Sequence, residues 1–196
     1  MPYEEFKAML ELLGSLFFSG RTGVLILLLV SAAVIDCRSH RIPNWLVLFG
    51  ALYGVIYNTL MPTWPQSSIL VALAGLGLGL LLLLPLYLLR VMGAGDVKLL
   101  SMVGAFLGPD DIVRAALASL LVGGALAIVF VLMRGTAMRM VQNLMWIFRL
   151  GILDAVNGSA PSLRISAGAS VGKLPYGVAI ALGTIGYLTM RQLAFL

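Results

Sequence analysis

The stretch Arg90-Val91-Met92-Gly93-Ala94-Gly95-Asp96-Val97-Lys98-Leu99-Leu100 decides how this chain folds. It follows a run of almost pure leucine and glycine, and it puts two glycines and an aspartate where a membrane helix should continue. A carboxylate at the edge of a lipid-soluble segment is energetically costly, so it usually faces a cavity or a partner and carries function. The glycines are expected to free the backbone from regular helix geometry, and irregular backbone persists at membrane depth only inside protein or beside water.

The composition assigns the chain to the integral membrane proteins. Of its 196 residues, 61% are apolar and only 11% are charged, and the mean hydropathy is +1.04. Soluble domains are about one-quarter charged. The one cysteine, Cys37, excludes an internal disulfide framework and a cysteine-built zinc site, and it is expected to be a small buried group. The net charge of +5 is spread between apolar spans, so it indicates orientation in the membrane and no nucleic-acid partner.

Six apolar segments predict an all-α, polytopic membrane protein with a single domain over residues 1–196. The predicted spans cover residues 22–36, 45–60, 69–89, 97–107, 112–133 and 174–193. In the third span, Gly75, Gly77 and Gly79 are expected at a close contact between helices. Residues 1–20 are predicted to form an interfacial helix or the first turns of the opening span, and residues 134–173 a cytoplasmic amphipathic segment.

The distribution of basic residues orients the chain. With Asp36 and Asp96 on the cytoplasmic side, nine of the thirteen lysines and arginines fall inside, and both termini lie outside. Asp36 lies fifteen helical steps from Arg21, and Asp96 lies fourteen from Asp110. Each path then covers roughly 21–23 Å at ~1.5 Å per residue. The hydrocarbon core is about 30 Å thick, so we expect an intramembrane aspartate pair at similar depth, near the cytoplasmic face.

Two carboxylates held close together cannot both ionise easily, so they share a proton. That state suits peptide hydrolysis, because the ionised member can take a proton from water while the neutral one hydrogen-bonds the scissile carbonyl. The only histidine, His40, lies in the loop after Asp36, so no Ser–His–Asp arrangement competes. Asp36, Asp96 and His40 are too few for a closed metal site, and we expect neither a metal nor another cofactor.

These motifs resemble those of the type IV prepilin peptidases, which are Gly-x-Gly-Asp aspartic proteases of the bacterial inner membrane. The resemblance covers about residues 24–187 and rests on three segments: Asp36 with Arg38 and Arg41-Ile42-Pro43-Asn44, then Gly93-Ala94-Gly95-Asp96-Val97-Lys98-Leu99, then Leu174-Pro175-Tyr176-Gly177. It implies that Asp36 and Asp96 are the catalytic pair. It also implies that the site is supported by Arg38, Arg41, Pro43, Asn44, Gly93, Gly95, Lys98, Pro175, Tyr176 and Gly177.

The resemblance also implies a substrate. The family cleaves the short basic leader of prepilins on the cytoplasmic side, just before the hydrophobic helix of the substrate, so the expected partners are a prepilin and membrane lipids. Longer members carry a cytoplasmic domain with paired Cys-x-x-Cys motifs and also methylate the new N-terminus. Here a short loop with one cysteine joins the first two spans. We therefore predict a peptidase without the methyltransferase, similar to those of tight-adherence (Flp-type) pilus systems.

Other interpretations of the same residues remain open. Asp36 would end a helix and pair with Arg38 or Arg41, and Asp96 would serve as an N-cap. Lys98 would meet a lipid phosphate or hold the loop. Two alternatives to a peptidase also remain for the whole chain. One is a proton- or cation-coupled transporter subunit that uses both acids as a relay, and the other is a non-catalytic subunit of a secretion or pilus machine.

Overall fold

The structure, a computed structural model, describes residues 20–60, 68–89, 92–133, 135 and 175–193. These residues form six α-helices and no strand: α1 (Gly20–Ser39), α2 (Asn44–Leu60), α3 (Ile69–Leu88), α4 (Ala94–Leu107), α5 (Pro109–Met133) and α6 (Tyr176–Leu193). The prediction of an all-α protein is confirmed for the described part of the chain, and each predicted span corresponds to one helix. The segments predicted at 1–20 and 134–173 lie outside the described residues, apart from Gly20 and Gly135.

The chain divides into two compact units. The first comprises Met1–Gly123 and Pro175–Leu196, and the second comprises Gly124–Leu174. In the second unit only the last turns of α5, residues 124–133, and residue 135 are described. A single domain over residues 1–196 stays a prediction, and the residues of the candidate site described below lie in the first unit.

Three of the described helices, α1, α3 and α5, are long and apolar enough to cross a membrane. Helix α2 is apolar but has 17 residues, and α4 has 14, whereas a span usually takes about 20. Large apolar side chains cover the outer surface, as contact with lipid requires. Examples are Leu27, Leu48, Leu70 and Leu121. The length and composition of these three helices therefore indicate a membrane protein. Six membrane crossings stay a prediction.

Helix α4 is the centre of the first unit, since it contacts α1, α2, α3 and α6. Its side chains without exposed surface are Leu99, Leu100, Met102, Val103, Ala105 and Phe106. The buried side-chain amide of Asn58 in α2 donates to the carbonyl of Ala105 at 2.7 Å. This bond satisfies a polar group that would otherwise be costly inside the unit. The helix that begins in the Gly-x-Gly-Asp segment is thus enclosed by the others.

Close packing of α3 on α4 depends on glycine. A side chain at Gly75 would collide with the backbone of Gly104, and one at Gly79 would lie 2.6 Å from the carbonyl oxygen of Leu100. Helices that approach this closely need residues without side chains at the contact. The predicted contact is confirmed for Gly75 and Gly79 and is wrong for Gly77, around which there is open space. Residues four apart share a helix face, and a residue two steps away does not.

A tight turn separates α4 from α5, as the segment Gly108-Pro109 predicts. Gly108 has a φ of 85°, a backbone conformation that glycine adopts without steric cost. Its N–H donates to the carbonyl of Gly104 at 2.9 Å and so closes α4. Pro109 is then the first residue of α5, a position that needs no N–H donor.

Candidate active site

Asp36 lies in the last turn of α1 and is buried, with 5% of its surface exposed. Its carboxylate oxygen Oδ2 accepts a hydrogen bond of 2.8 Å from the backbone N–H of Gly177, in the first turn of α6. Helices leave their first N–H groups free, and the positive end of the helix dipole favours a negative charge there. The start of α6 therefore holds the carboxylate that the end of α1 carries.

The first turn of α6 approaches Asp36 so closely that any side chain at position 177 would crowd its carboxylate. A side chain there would begin 2.8 Å from Oδ2 of Asp36 and 3.2 Å from its Cβ and Cγ. Pro175 precedes the helix, and its carbonyl accepts the N–H of Val178 at 3.2 Å. The third motif of the sequence thus supplies a helix start whose backbone faces the first aspartate.

Arg38 and Arg41 do not pair with Asp36. Both are exposed, and the ion pair found within the described ranges joins two other residues. The interpretation of Asp36 as a helix-end acid neutralised by either arginine is therefore wrong for the described part of the chain. Cys37 was expected to be buried, and this is wrong too, because its side chain is exposed beside the inward-facing Asp36.

Asp96 is the third residue of α4, which begins three residues before the predicted span. Gly93 is the N-cap, with extended backbone at φ −78° and ψ 151°. Oδ2 of Asp96 accepts the N–H of Gly93 at 3.2 Å, and the N–H of Asp96 donates to the carbonyl of Gly93 at 3.2 Å. Asp96 caps the helix by reaching back from its first turn. The interpretation of Asp96 as a helix cap is therefore confirmed, but Asp96 caps from the third helical position, and the N-cap position itself is Gly93.

The two glycines of this motif differ in backbone: Gly93 leaves helix geometry between α3 and α4, as expected, whereas Gly95 does not. Gly93 is extended, Gly95 lies within α4, and neither has a positive φ. A side chain at Gly95 would lie 3.2 Å from Cβ of Ile42, in the connection between α1 and α2. Gly95 thus serves close approach, since it lets that connection pack on the first turn of α4.

Lys98 ties the start of α4 to the start of α2. Its Nζ donates to Oδ1 of Asn44 at 3.0 Å. Pro43 precedes α2, and its carbonyl accepts the N–H of Val47 at 3.4 Å. Of the two interpretations of Lys98, the structure supports the one in which its side chain holds the loop, here the connection between α1 and α2.

Asp36 and Asp96 come from separate helices, and Asp96 lies within electrostatic range of Asp36. Tyr176, the residue before Gly177, is also within electrostatic range of Asp96. The three motifs are therefore brought to one end of the first unit. There one carboxylate is buried and held by a backbone N–H, and the other is partly exposed at a helix start. Two carboxylates in unequal surroundings can divide the roles of acid and base.

Metal-binding side chains are not clustered in the described part of the chain, where no three of the residues His, Cys, Asp and Glu come together. A reaction without a metal stays a prediction.

A second polar cluster, at the opposite end of the first unit, is not predicted by the motifs. Asp111, at the start of α5, forms an ion pair with Arg191 of α6. Asp111 also accepts a hydrogen bond of 2.6 Å from the hydroxyl of Tyr187. Arg21, at the start of α1, is within electrostatic range of both charged groups. The available signal was that Arg21, Asp111 and Arg191 all fall at the outer ends of their predicted spans.

A sequence model described as the type IV leader peptidase family matches residues 23–128, just over half of the chain. The matched range contains Asp36 and Asp96 and ends before Tyr176 and Gly177. No curated protein and no solved structure gives a significant match.

Proposed function

The chain belongs to the type IV leader peptidase family, and on that premise we propose that it is a prepilin leader peptidase. Membership makes it a protease of the aspartic hydrolase type. The finer proposal is that it removes the leader of type IV, Flp-like prepilins at the cytoplasmic face of the bacterial inner membrane. Its partners would be the prepilin, through its leader and hydrophobic helix, and membrane lipids.

The observation that carries this proposal is that two acids from different helices, Asp36 held by the start of α6 and Asp96 at the start of α4, come within electrostatic range of each other. A structural acid at a helix end needs no second acid beside it, and like charges at short range raise the energy of the folded state. The hydrogen bond from Gly177 to Asp36 further supports a tuned pair, because it fixes the orientation of a buried carboxylate. We therefore assign catalysis to Asp36 and Asp96.

Hydrolysis begins with one carboxylate ionised and the other protonated. The ionised carboxylate takes a proton from water as the water oxygen bonds to the scissile carbonyl carbon, and the neutral carboxyl gives its proton to the carbonyl oxygen. When the tetrahedral intermediate collapses, the C–N bond breaks and the proton taken from water passes to the leaving nitrogen. The carboxyl that gave its proton recovers one from the hydroxyl of the intermediate, which restores the starting state.

The remaining motif residues are proposed to keep this geometry. The bond from Lys98 to Asn44 and the contact of Gly95 with Ile42 both hold the α1–α2 connection against the start of α4. Since Asp36 ends α1, these contacts restrain the two aspartates relative to each other. Rigid support of this kind matters because catalytic groups displaced by about 1 Å can lose ~10²-fold in rate.

The chain is proposed to have both termini outside, with the aspartates near the cytoplasmic face. The nine-to-four split of its basic residues supports this orientation. Reporter fusions after residues 61–65 and after Asp110 should behave as periplasmic, and fusions within 134–173 as cytoplasmic. A cytoplasmic signal from the Asp110 turn would contradict the topology.

A methyltransferase activity is not part of the proposal. Helix α1 ends at Ser39 and α2 begins at Asn44, so this connection has no room for the Cys-x-x-Cys domain that the resemblance associates with methylation. Purified chain supplied with a methyl donor should cleave without methylating the new N-terminus.

The function is tested by co-expressing the chain with a panel of type IV prepilins in a bacterial host that lacks a prepilin peptidase. Wild-type chain should shift the mobility of at least one prepilin, and N-terminal sequencing should locate the cut just before its hydrophobic helix. Asp96→Asn should insert normally and leave the prepilin intact. A non-catalytic subunit would tolerate Asp96→Asn, and a transporter would lose ion flux without any cleavage by the wild type. Absence of cleavage across the panel by well-inserted wild type would overturn the proposal.

A further inference from the structure

Tyr176 adjoins both aspartates of the candidate site. The N–H that donates to Asp36 belongs to the peptide unit joining Tyr176 to Gly177. The side chain of Tyr176 is half-buried and lies within electrostatic range of Asp96. A displacement of this residue would therefore act on the hydrogen bond of one carboxylate and on the surroundings of the other.

The ring of Tyr176 lies directly against the backbone of α5 at Gly123. A side chain at position 123 would begin 2.7 Å from Cε2, 2.8 Å from Oη and 2.9 Å from Cζ of that ring. Carbon atoms in ordinary contact are about 3.5–4.0 Å apart. Gly124 is the next residue of the same helix, and no atom of the described residues lies within 4 Å of the corresponding position there. Only the first glycine of the pair is needed for the contact.

We propose that Gly123 and Tyr176 are positioning residues for the peptidase reaction. Because Gly123 has no side chain, the Tyr176 ring packs against the backbone of α5. This packing keeps the Gly177 N–H hydrogen-bonded to Asp36. The inference rests on the proposed function, gives the motif residue Tyr176 a specific role, and adds Gly123, which lies outside the sequence motifs. A tyrosine side chain is rigid apart from two torsions, so pressure on the tip of its ring moves the ring and strains the backbone that carries it.

The bond to Asp36 has little tolerance for such strain. The space between Gly177 and the Asp36 side chain is too small for an added methyl group, and the backbone nitrogen of Gly177 lies 2.8 Å from Oδ2. A shift of the Tyr176–Gly177 peptide unit therefore either lengthens this bond or turns the carboxylate. Both changes misorient one member of the pair.

The test compares Gly123→Ala with Gly124→Ala as its matched control. Alanine favours a helix more than glycine does, so neither change should weaken α5 through its backbone. With the prepilin that wild type cleaves, Gly123→Ala should lower kcat by about 10- to 10²-fold with little change in KM. Gly124→Ala should stay within about twofold of wild type. Equal kcat values for the two variants would overturn the proposal.

Two further arms separate positioning from general damage. If the ring transmits the effect, Gly123→Ala combined with Tyr176→Ala should be no slower than Tyr176→Ala alone, since the colliding ring is gone. A slower double variant would overturn the transmission through Tyr176.

The last arm does not depend on cleavage. Cys37 is the only cysteine of the chain, is exposed and follows Asp36 directly, so a nitroxide attached to it reports on the end of α1. Its spectrum should change in Gly123→Ala and not in Gly124→Ala. Identical spectra would overturn the inference. Absence of prepilin cleavage by wild type, together with a changed spectrum, would overturn the proposed substrate and leave the mechanical coupling established.

Discussion

Replacing Gly177 by alanine should slow peptide cleavage while the chain still folds and inserts. The new methyl would start 2.8 Å from Oδ2 of Asp36 and 3.2 Å from its Cβ and Cγ. Because ordinary contacts need about 3.5–4.0 Å, the carboxylate or the first turn of α6 has to retreat by about 0.5–1 Å. That movement also stretches the hydrogen bond that Gly177 donates.

The magnitude follows from the displacement. A catalytic group misplaced by about 1 Å can lose ~10²-fold in rate, so we expect kcat to fall by about 10- to 10²-fold. This corresponds to roughly 1.4–2.7 kcal/mol of transition-state stabilisation at ~1.36 kcal/mol per tenfold. KM should change little, because the leader and the hydrophobic helix of the substrate keep their contacts. The assay uses purified chain in liposomes and the prepilin that wild type cleaves.

Gly186→Ala is the matched control for this prediction. Gly186 lies in the same helix, and a side chain there would meet nothing within 4 Å. It should keep wild-type kcat and melting temperature. Cleavage by Gly177→Ala at the rate of Gly186→Ala would refute the argument from close approach. A loss of rate explained by an equal loss of folded protein would refute it as well.

Four further predictions test the aspartate pair, its shared proton, the opposite end of the unit and the absence of a metal from the reaction. Asp36→Asn and Asp96→Asn should each abolish cleavage by inserted protein, with the double variant hardly slower than either, because the two act as a unit; substantial cleavage by Asp96→Asn would leave that residue only a helix cap. Wild-type rates should follow a bell in pH whose limbs belong to the pair, and a flat profile would contradict shared protonation. Asp111→Ala should lower the unfolding free energy in detergent by about 1–3 kcal/mol, since it removes the acceptor of two hydrogen bonds. The control is Asp110→Ala, at an exposed position, which should change the unfolding free energy little. Activity should survive exhaustive chelation, and recovery of lost activity with added zinc would count against a carboxylate mechanism.

Much of the fold could be predicted because apolar runs and their interruptions are strong signals. The predicted end at residue 107 matches α4, and the predicted start at 69 matches α3. The predicted start of α4 is three residues late, since Gly93-Ala94-Gly95 indicates a break in the helix. The break is present, but it ends at Gly93, which is the N-cap and whose N–H donates to Asp96. Glycine destabilises the interior of a helix, and Gly95 lies in the first turn, outside that interior.

For the candidate site, the sequence leads to a prediction of depth but to none of direction. Counting helical steps predicts that Asp36 and Asp96 lie in one layer, because the rise per residue is fixed. It does not say which way a side chain turns within that layer. That Asp36 faces the start of α6 and not Arg38 depends on the packing of helices that are distant in sequence, so no local pattern predicts it.

The same limit explains why equivalent glycines have different roles. Gly75 and Gly79 meet α4 and Gly77 does not; Gly123 seats a ring and Gly124 has open space. In an apolar run these residues have the same composition around them, and only the face of the helix distinguishes them. A glycine becomes essential where another backbone or a rigid ring occupies the space of its missing side chain. By this criterion the site includes the start of α6 and the contact of Tyr176 with Gly123 on α5, in addition to the two aspartates. In the proposed arrangement, the position of the Gly177 N–H depends on that helix start and on that contact.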